Sequence, residues 1–285
     1  GIALGNGYVD EALNIDTSVL YAYSHGLIDE KTWKSLEKDC CKGCINTCQL
    51  INITERRCMS KGSIRNILRF IWSGRINPYD LYRDCKPSSK LDRARIRVMK
   101  FGLTGSHPSS MKSDKLIKNQ KAPETILDYL SEIAPLAAEV PCINDSALNQ
   151  YMNSEDVRRA LHIRENASRW EVCNDKIITV YEKIRNNMAP YIKAIVKEGV
   201  QVLLYYGDTD MACNFIMGQR FSASLKLPRK KTKQPWVFDS QIAGFVTVYK
   251  GLIFATVRGA GHMAPQWRAP QMQYLINEFI NDGYF

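Results

Sequence analysis

The apolar residues of this chain fall into a few short, nearly continuous runs that predict buried strands. These runs cover Ile2 to Leu4, Val200 to Tyr206, Phe245 to Tyr249 and Leu252 to Val257. The second run is rich in β-branched and aromatic residues and is closed by Gly207-Asp208, which is typical of a parallel strand covered on both faces.

Helical periodicity flanks these strands. Ile177, Ile178, Tyr181 and Ile184 indicate one helix, and Pro190 is suited to the first turn of a second helix that Gly199 ends. A third helix is predicted after Pro270, through Leu275 and Phe279. The alternation of helices and buried strands predicts an α/β fold, in which ligands bind at the carboxyl ends of the strands.

Residues 16–142 do not follow this pattern. They carry most of the cysteines and amphipathic stretches near Ser18 to His25 and Lys31 to Lys38, without a long buried strand. We interpret this segment as a disulfide-rich, mainly helical cap insertion. The predicted division is a core strand and turn (1–15), the cap (16–142) and a C-terminal core part (143–285).

The formal net charge of +10 raises the question of a nucleic-acid partner. Residues 86–121 hold ten basic residues against Asp92 and Asp114, and Phe101 is their one aromatic residue. Such a segment favours a solvated loop over a base-stacking surface, so no nucleic-acid partner is expected. No run of eighteen apolar residues occurs, so no membrane association is expected either.

Nine cysteines require either disulfides or a metal site. Five of them are crowded together at Cys40, Cys41, Cys44, Cys48 and Cys58. Thiolates at the spacing of Cys41, Cys44 and Cys48 could converge on zinc. Three glycosylation sequons favour disulfides and an oxidising, secretory history instead; they begin at Asn52, Asn144 and Asn166.

Two predicted strands end in unusual polar loops. Gly207-Asp208-Thr209-Asp210 follows one, and Gly259-Ala260-Gly261-His262 follows the other. A carboxylate and an imidazole at one sheet edge fit the last two members of a Ser, Asp, His triad, which occur in that order in α/β-hydrolases. The alternatives are that Asp208 or Asp210 caps a helix beginning at Met211 and that His262 is a loop residue without chemistry. The remaining histidines, His25, His107 and His162, are interpreted as structural.

These two loops carry a specific resemblance. Gly207-Asp208-x-Asp210-x-x-Cys213-Asn214 and Gly259-x-Gly261-His262-Met263-x-Pro265 resemble the Asp and His signatures of serine carboxypeptidases. Further similarity lies in Gly5-Asn6-Gly7, in Asn77-Pro78-Tyr79-Asp80-Leu81-Tyr82, and in Cys40-Cys41 after Gly26-Leu27-Ile28. The resemblance spans essentially the whole chain and is strongest to the lysosomal branch of the family.

The resemblance implies a role for several residues. Asp210 would be the triad acid and His262 the general base, while Tyr79, Cys213 and Met263 would line the substrate cleft. The implied disulfides are Cys40–Cys58, Cys41–Cys48 and Cys85–Cys142, with Cys173 bonded to a cysteine outside this chain, Cys213 free and Cys44 left over. Cys213 and Met263 could equally be apolar filler beside the site.

The chain departs from the family pattern in one respect. It contains no Gly-x-Ser-x-Gly and no Trp-x-Gly-Gly-Pro-Gly segment, so the nucleophilic Ser and the oxyanion hole are absent from it. We therefore expect this chain to be the C-terminal portion of the protein, inactive alone and completed by an N-terminal portion that carries the Ser.

A disulfide between Cys85 and Cys142 would close a loop that contains the basic residues 86–121. Arg93, Arg95, Arg97 and Lys100 offer trypsin-like cleavage sites in it. The loop is therefore either a cleavable activation segment over the cleft or a flexible cap loop.

The resemblance implies hydrolysis of C-terminal peptide bonds at acid pH, with peptide substrates, no cofactor and no metal. It implies a lysosomal, vacuolar or secreted setting and leaves a homodimer open. Two alternatives remain: a serine carboxypeptidase-like acyltransferase, and a non-catalytic protein that protects or binds lysosomal glycosidases.

Overall fold

A five-stranded sheet organises the computed structural model, which describes residues 1–43, 45–53, 58, 67, 76–84, 146–172, 181–182 and 184–281. The strands are β1 (Ile2–Gly5), β2 (Val202–Gly207), β3 (Arg229–Phe238), β4 (Gln241–Tyr249) and β5 (Leu252–Val257). Their order across the sheet is β1-β2-β5-β4-β3. The first three strands in this order are parallel, whereas β4 runs antiparallel to both β5 and β3.

The two central strands are buried throughout, as their continuous apolar runs predict. All six residues of β5 and five of the six residues of β2 are buried. Leu204 pairs with Leu4 on one side and with Phe254 on the other, so the middle of β2 has apolar neighbours in both directions. All four predicted strands are present.

The described residues contain eight α-helices. They are α1 (Glu11–Ser24), α2 (Glu30–Ser35), α3 (Ser146–Met152), α4 (Glu155–Ala160), α5 (Ala189–Lys197), α6 (Phe215–Ser224), α7 (Ala264–Trp267) and α8 (Ala269–Ile280). A π-helical turn, Leu36–Cys40, continues α2, and two 3₁₀ turns follow at Ile45–Thr47 and Leu50–Asn52. Pro190 and Pro270 lie in the first turns of α5 and α8, where a missing N–H has no cost. Among these helices none is long and apolar enough to cross a membrane.

Several local expectations differ from the structure. β3 is not among the predicted strands, because its sequence is polar and lacks an apolar run. Tyr181 and Ile184 are exposed and lie outside any helix, contrary to the prediction, and Ile177 and Ile178 of the same predicted helix lie outside the described residues. No helix begins at Met211; α6 begins instead at Phe215, where Asn214 caps it by accepting the Met217 N–H.

Helices cover both faces of the sheet. On one face Leu203, Val246 and Ile253 pack with Leu275 and Phe279 of α8. On the other face a cluster joins α5 and α6 to the sheet; it contains Ile192, Val202, Leu204, Tyr206, Met217, Phe221 and Phe254. The loops that follow β2 and β5 therefore extend from a rigid core.

The cysteine-rich segment packs on α1. Ile15, Val19 and Tyr21 of α1 share a buried cluster with Leu36 and Leu50. Disulfides join Cys40 to Cys58 and Cys41 to Cys48, the two pairs that the resemblance implies there. Since Cys41 and Cys48 are bonded to each other, they cannot serve as zinc thiolates.

Several predicted features lie outside the described residues. These are Cys44, Cys85, Cys142, Cys173, Asn144, His107 and the basic stretch 86–121. Of the predicted glycosylation sites, Asn52 and Asn166 are both exposed. The proposed boundaries at residues 15 and 142 stay predictions.

Candidate active site

Two neighbouring parallel strands bring the Asp and His loops together. β2 and β5 end side by side, with Gly207 opposite Val257. Hydrogen bonds between the loops continue the strand pairing: the Asp208 N–H donates to Val257 O at 3.2 Å and the Thr209 N–H to Ala260 O at 3.0 Å. The loops beyond the strands are therefore a single connected unit.

Two glycines permit this close approach. A Cβ atom on Gly207 would lie 2.2 Å from the carbonyl oxygen of Ala260, and one on Gly261 would lie 2.2 Å from that of Tyr79. Such distances are far below van der Waals contact. The glycines next to Asp208 and His262 are thus required by packing against backbone atoms.

Asp210 and His262 form a direct pair. Nδ1 of His262 lies 2.9 Å from Oδ2 of Asp210. Because an ionised carboxylate can only accept, Nδ1 carries the proton in this bond and Nε2 is left as the basic nitrogen. The Asp210 side chain is fully buried, whereas 31% of the His262 side chain is exposed. One end of the imidazole is therefore fixed in the protein and the ring reaches the surface.

Three further donors satisfy the buried carboxylate. Nδ2 of Asn6 donates to Oδ2 at 2.7 Å, and the N–H groups of Ala212 and Cys213 donate to Oδ1 at 2.9 and 3.3 Å. Burying a carboxylate is costly unless it is hydrogen-bonded, and these donors compensate for lost water. Asn6 adopts a φ of 45°, a left-handed conformation that Asn tolerates better than most residues.

The segment of residues 76–84 is hydrogen-bonded to both loops. The carbonyl oxygen of Tyr79 accepts the His262 N–H at 2.7 Å, and that of Pro78 accepts the N–H groups of Met211 and Ala212 at 2.9 and 3.0 Å. The Tyr79 ring meets the His262 ring edge-on, with centroids 5.1 Å apart. Tyr79 therefore lies beside the imidazole, and its contact with substrate stays a prediction.

A buried carboxylate anchors this segment. Oδ1 of Asp80 accepts the Thr209 hydroxyl at 2.9 Å and the Tyr82 N–H at 3.2 Å. Arg83 Nε lies 3.5 Å from Oδ2 of Asp80, and the Arg83 guanidinium sits 4.3 Å above the Trp267 ring. Asp80 thus connects the segment to the Asp loop.

The other predicted candidates take different places. Asp208 accepts the Gly259 N–H at 2.7 Å through Oδ1, and burial raises its pKa. Cys213 is free and buried, and burial followed by the charge of Asp210 raises the pKa of its thiol. Met263 is half-buried directly after His262.

Of the remaining histidines, the structure describes His25 and His162. The His25 ring stacks on Tyr21 at 4.0 Å, and its Nδ1 lies 2.8 Å from the Tyr21 carbonyl oxygen. His162 is exposed. Within the described residues no group of three or more His, Cys, Asp or Glu side chains is placed to hold a metal ion.

Sequence reasoning did not assign a role to Asn6, Asp80 or Thr209. Asn6 and Asp210 are 204 positions apart, so their contact is invisible in the sequence. The available signal was a polar residue directly after a predicted buried strand, at the edge where the Asp and His loops also end.

Comparison with known proteins agrees with this arrangement. The profile of the family described as "Serine carboxypeptidase" matches residues 1–282. The lysosomal protective protein of Mus musculus is 30% identical over 290 residues, which are 99% of this chain and 58% of that protein. Serine carboxypeptidase ctsa-4.1 of Caenorhabditis elegans is 30% identical over 295 residues, 99% of this chain and 57% of the relative.

A solved structure shows the same fold. The crystal structure of Kex1(delta)p, a prohormone-processing carboxypeptidase from Saccharomyces cerevisiae, matches with a TM-score of 0.59 at 18% identity. The match covers 98% of this chain and 54% of that one. The predicted α/β-hydrolase fold is thus confirmed, and the chain spans a little over half the length of these relatives. With its profile match over nearly every residue, the chain belongs to the serine carboxypeptidase family.

Proposed function

We propose that this chain is the C-terminal part of a serine carboxypeptidase that hydrolyses C-terminal peptide bonds through a Ser, Asp, His triad. The observation that carries the proposal is the hydrogen bond between Nδ1 of His262 and Oδ2 of the fully buried Asp210. In this proposal polypeptide outside the chain contributes the nucleophilic Ser and the oxyanion hole.

The pair supports a defined proton path. Asp210 holds the imidazole by Nδ1, so Nε2 takes the proton of the Ser hydroxyl as the Ser oxygen attacks the peptide carbonyl. His262 then passes that proton to the leaving amine, the C–N bond breaks, and an acyl-enzyme ester forms. A water molecule attacks the ester, gives its proton to Nε2, and the Ser oxygen leaves and recovers a proton from His262.

The described surface supports a contribution from further polypeptide. In α3, α4 and the residues around them, large apolar side chains are exposed; Tyr151 is 62% exposed and Leu161 is 53% exposed. Neither α3 nor α4 has a buried residue. Soluble proteins rarely leave clustered apolar side chains uncovered, so an additional portion packed here fits the proposal.

The setting proposed for the enzyme is acidic, in a lysosome, a vacuole or outside the cell. Two disulfides support passage through an oxidising compartment. The name of the mouse relative, lysosomal protective protein, agrees with the first of these locations.

A serine-directed fluorophosphonate tests the proposal. The isolated chain should not be labelled, whereas the chain joined to the portion that precedes it should be labelled stoichiometrically on that portion and should release the C-terminal residue of an N-blocked dipeptide. Stoichiometric labelling of the isolated chain would contradict the proposal. Transfer of an acyl group from an acyl-glucose donor without peptide hydrolysis would identify an acyltransferase instead.

A further inference from the structure

A second feature of the chain has no place in the proposed reaction: a run of basic residues on the outer strand of the sheet. β3 opens with Arg229-Lys230-Lys231-Thr232-Lys233 and is the last strand in the sheet order, paired with β4. Arg229, Lys230, Thr232 and Lys233 are exposed. Two strands separate β3 from β2, which carries Asp210 at its end.

Two neighbouring lysines extend the run. Lys226 precedes β3 and is exposed, and the Lys250 N–H donates to Pro228 O at 2.8 Å, which brings exposed Lys250 beside the start of the strand. We call the resulting set the β3 basic surface; it consists of Lys226, Arg229, Lys230, Lys231, Lys233 and Lys250. Asp239 is the single acidic residue in the sequence from 226 to 250.

The local geometry keeps the charges of Arg229, Lys230 and Lys233 available to a ligand. Nζ of Lys233 lies 5.5 Å from the centroid of the Phe245 ring and 3.0 Å from Oε1 of Gln219, so uncharged groups hold its ammonium. Among the described residues no carboxylate forms an ion pair with Arg229, Lys230 or Lys233.

The backbone of β3 favours display of these side chains. The pairing of β3 with β4 shifts register between Arg229 and Lys231 and again between Lys231 and Gln234. These shifts interrupt the regular pairing of this part of β3 with β4. From Arg229 to Lys233 the strand extends about 13 Å, so the cations are spread along an extended segment instead of being gathered at one point.

We propose that the β3 basic surface binds a sulfated polysaccharide of the heparin type. Short runs rich in Lys and Arg are a recognised form of heparin and nucleic-acid patches. Disulfide-bonded proteins occur outside the reducing cytosol, where sulfated glycans are the polyanions that they meet. Charge complementarity therefore favours this class of ligand.

Two features argue against other polyanions. Single-stranded nucleic acids need aromatic faces for stacking, yet the Phe245 ring lies beneath the Lys233 ammonium. Membrane surfaces need exposed apolar side chains among the cations. On this hairpin Val237 and Ile242 lie at the other end, beside Asp239, and Phe245, which is 40% exposed next to Lys233, is one apolar ring rather than an apolar face.

The test measures binding of a heparin dodecasaccharide to the full-length protein and to two matched variants. One variant combines Arg229→Gln, Lys230→Gln and Lys233→Gln. The control combines Lys31→Gln, Lys34→Gln and Lys38→Gln, which removes the same net charge from three exposed sites on and just after α2. All six positions are exposed, and thermal unfolding checks that both variants stay folded.

The β3 variant should have a Kd about tenfold or more above that of the wild type at physiological salt. The slope of log Kd against log salt concentration should fall by about two to three, one for each lost ionic contact. The control should change the Kd by less than about twofold. Equal effects of the two variants, an unchanged Kd in the β3 variant, or no heparin binding by the wild type would overturn the proposal. Tighter binding of single-stranded DNA or of phosphatidylserine vesicles through the same three residues would also overturn it. None of these outcomes depends on peptidase activity.

Discussion

The side-chain amide of Asn6 donates to Oδ2 of Asp210 at 2.7 Å, the same oxygen that lies 2.9 Å from Nδ1 of His262. The residue that follows β1 therefore supports the carboxylate that holds the imidazole. Asn6 also accepts the Gly207 N–H through Oδ1 at 3.4 Å, so the amide is held at both ends. This arrangement fixes the direction from which Asp210 meets His262.

Removing this amide should impair catalysis more than substrate binding. In the enzyme completed by its N-terminal portion, Asn6→Gly loses one hydrogen bond to a buried charge, worth about 1.5–3 kcal/mol, while keeping a residue that tolerates positive φ. We expect kcat to fall by about 10- to 100-fold with KM nearly unchanged. Asn6→Ala should lose the same activity and an additional increment of stability of about 1 kcal/mol, because Ala disfavours the left-handed conformation. Steady-state kinetics and urea unfolding separate these effects, and an Asn6→Gly enzyme with wild-type kcat would contradict the assignment.

Gly261 should not tolerate a side chain. A Cβ atom there would lie 2.2 Å from the Tyr79 carbonyl oxygen, which accepts the His262 N–H. We expect Gly261→Ala to displace the His loop, to reduce kcat/KM strongly and to destabilise the fold by about 1–3 kcal/mol. Gly7→Ala is the matched control, because its Cβ atom would meet only ordinary contacts, the nearest at 3.4 Å. Similar losses in both variants would show that the close approach at Gly261 is not the cause.

Asp16 should make the stability depend on pH. Its Oδ1 accepts the Ile51 N–H at 3.2 Å, and burial raises its pKa from 3.8 to about 6, against the opposing effect of the Ile51 hydrogen bond. A raised pKa means that the folded state holds the proton more tightly than the unfolded chain. The contribution of Asp16 to the free energy of unfolding is therefore fully present below pH 3.8 and is lost as the pH rises through about 6.

Asp16→Asn removes this dependence while keeping an oxygen that can accept the Ile51 N–H. Near pH 7 the variant should be more stable than the wild type by about 1 kcal/mol after allowance for solvent screening. Near pH 4, by contrast, the two proteins should differ little, because Asp16 is then largely protonated in the folded state. Urea unfolding at both pH values measures this, and a difference that does not change with pH would rule out Asp16 as its source.

The thiol of Cys213 should be chemically quiet in the folded protein. Burial and the nearby Asp210 carboxylate raise its pKa, so little thiolate is present at neutral pH. We expect iodoacetamide to alkylate Cys213 at least about tenfold more slowly in the native protein than in urea. Mass spectrometry of the peptide containing Cys213 follows the reaction, with Cys213→Ser as the control that locates the signal. Equal rates in the two conditions would show an accessible thiolate.

Local patterns were sufficient to predict the central strands and the pairing of the two loops. Val202–Gly207 and Leu252–Val257 are continuous apolar runs, and Asp210 and His262 follow them on loops that contain glycine. β3 was missed because it lies at the sheet edge, where Lys and Arg side chains remain in solvent and the apolar alternation disappears. Strand order and the antiparallel direction of β3 and β4 depend on long-range pairing that no single segment encodes.

Local patterns also could not identify the residues that support the site, because their contacts join distant parts of the chain. Asp80 bonds Thr209 across 129 positions, and Tyr79 approaches His262 only because its carbonyl accepts the His262 N–H. The family motifs marked these segments as similar without showing which atoms meet. The resemblance implied Asp210 as the triad acid, and in the structure Asp210 contacts the imidazole whereas Asp208 accepts the Gly259 N–H.

The most direct test of the proposed reaction is the kcat of Asp210→Asn in the enzyme completed by its N-terminal portion. An amide at this position can present its NH₂ to the imidazole and so favours the wrong tautomer, which leaves Nε2 unable to accept the Ser proton. We predict a loss in kcat of about 10⁴-fold in a folded enzyme of lower thermal stability, because the new NH₂ also faces the Asn6 NH₂ that donates to Oδ2. A folded Asp210→Asn enzyme that retains kcat within about tenfold of the wild type would contradict the role of Asp210 as the residue that orients His262.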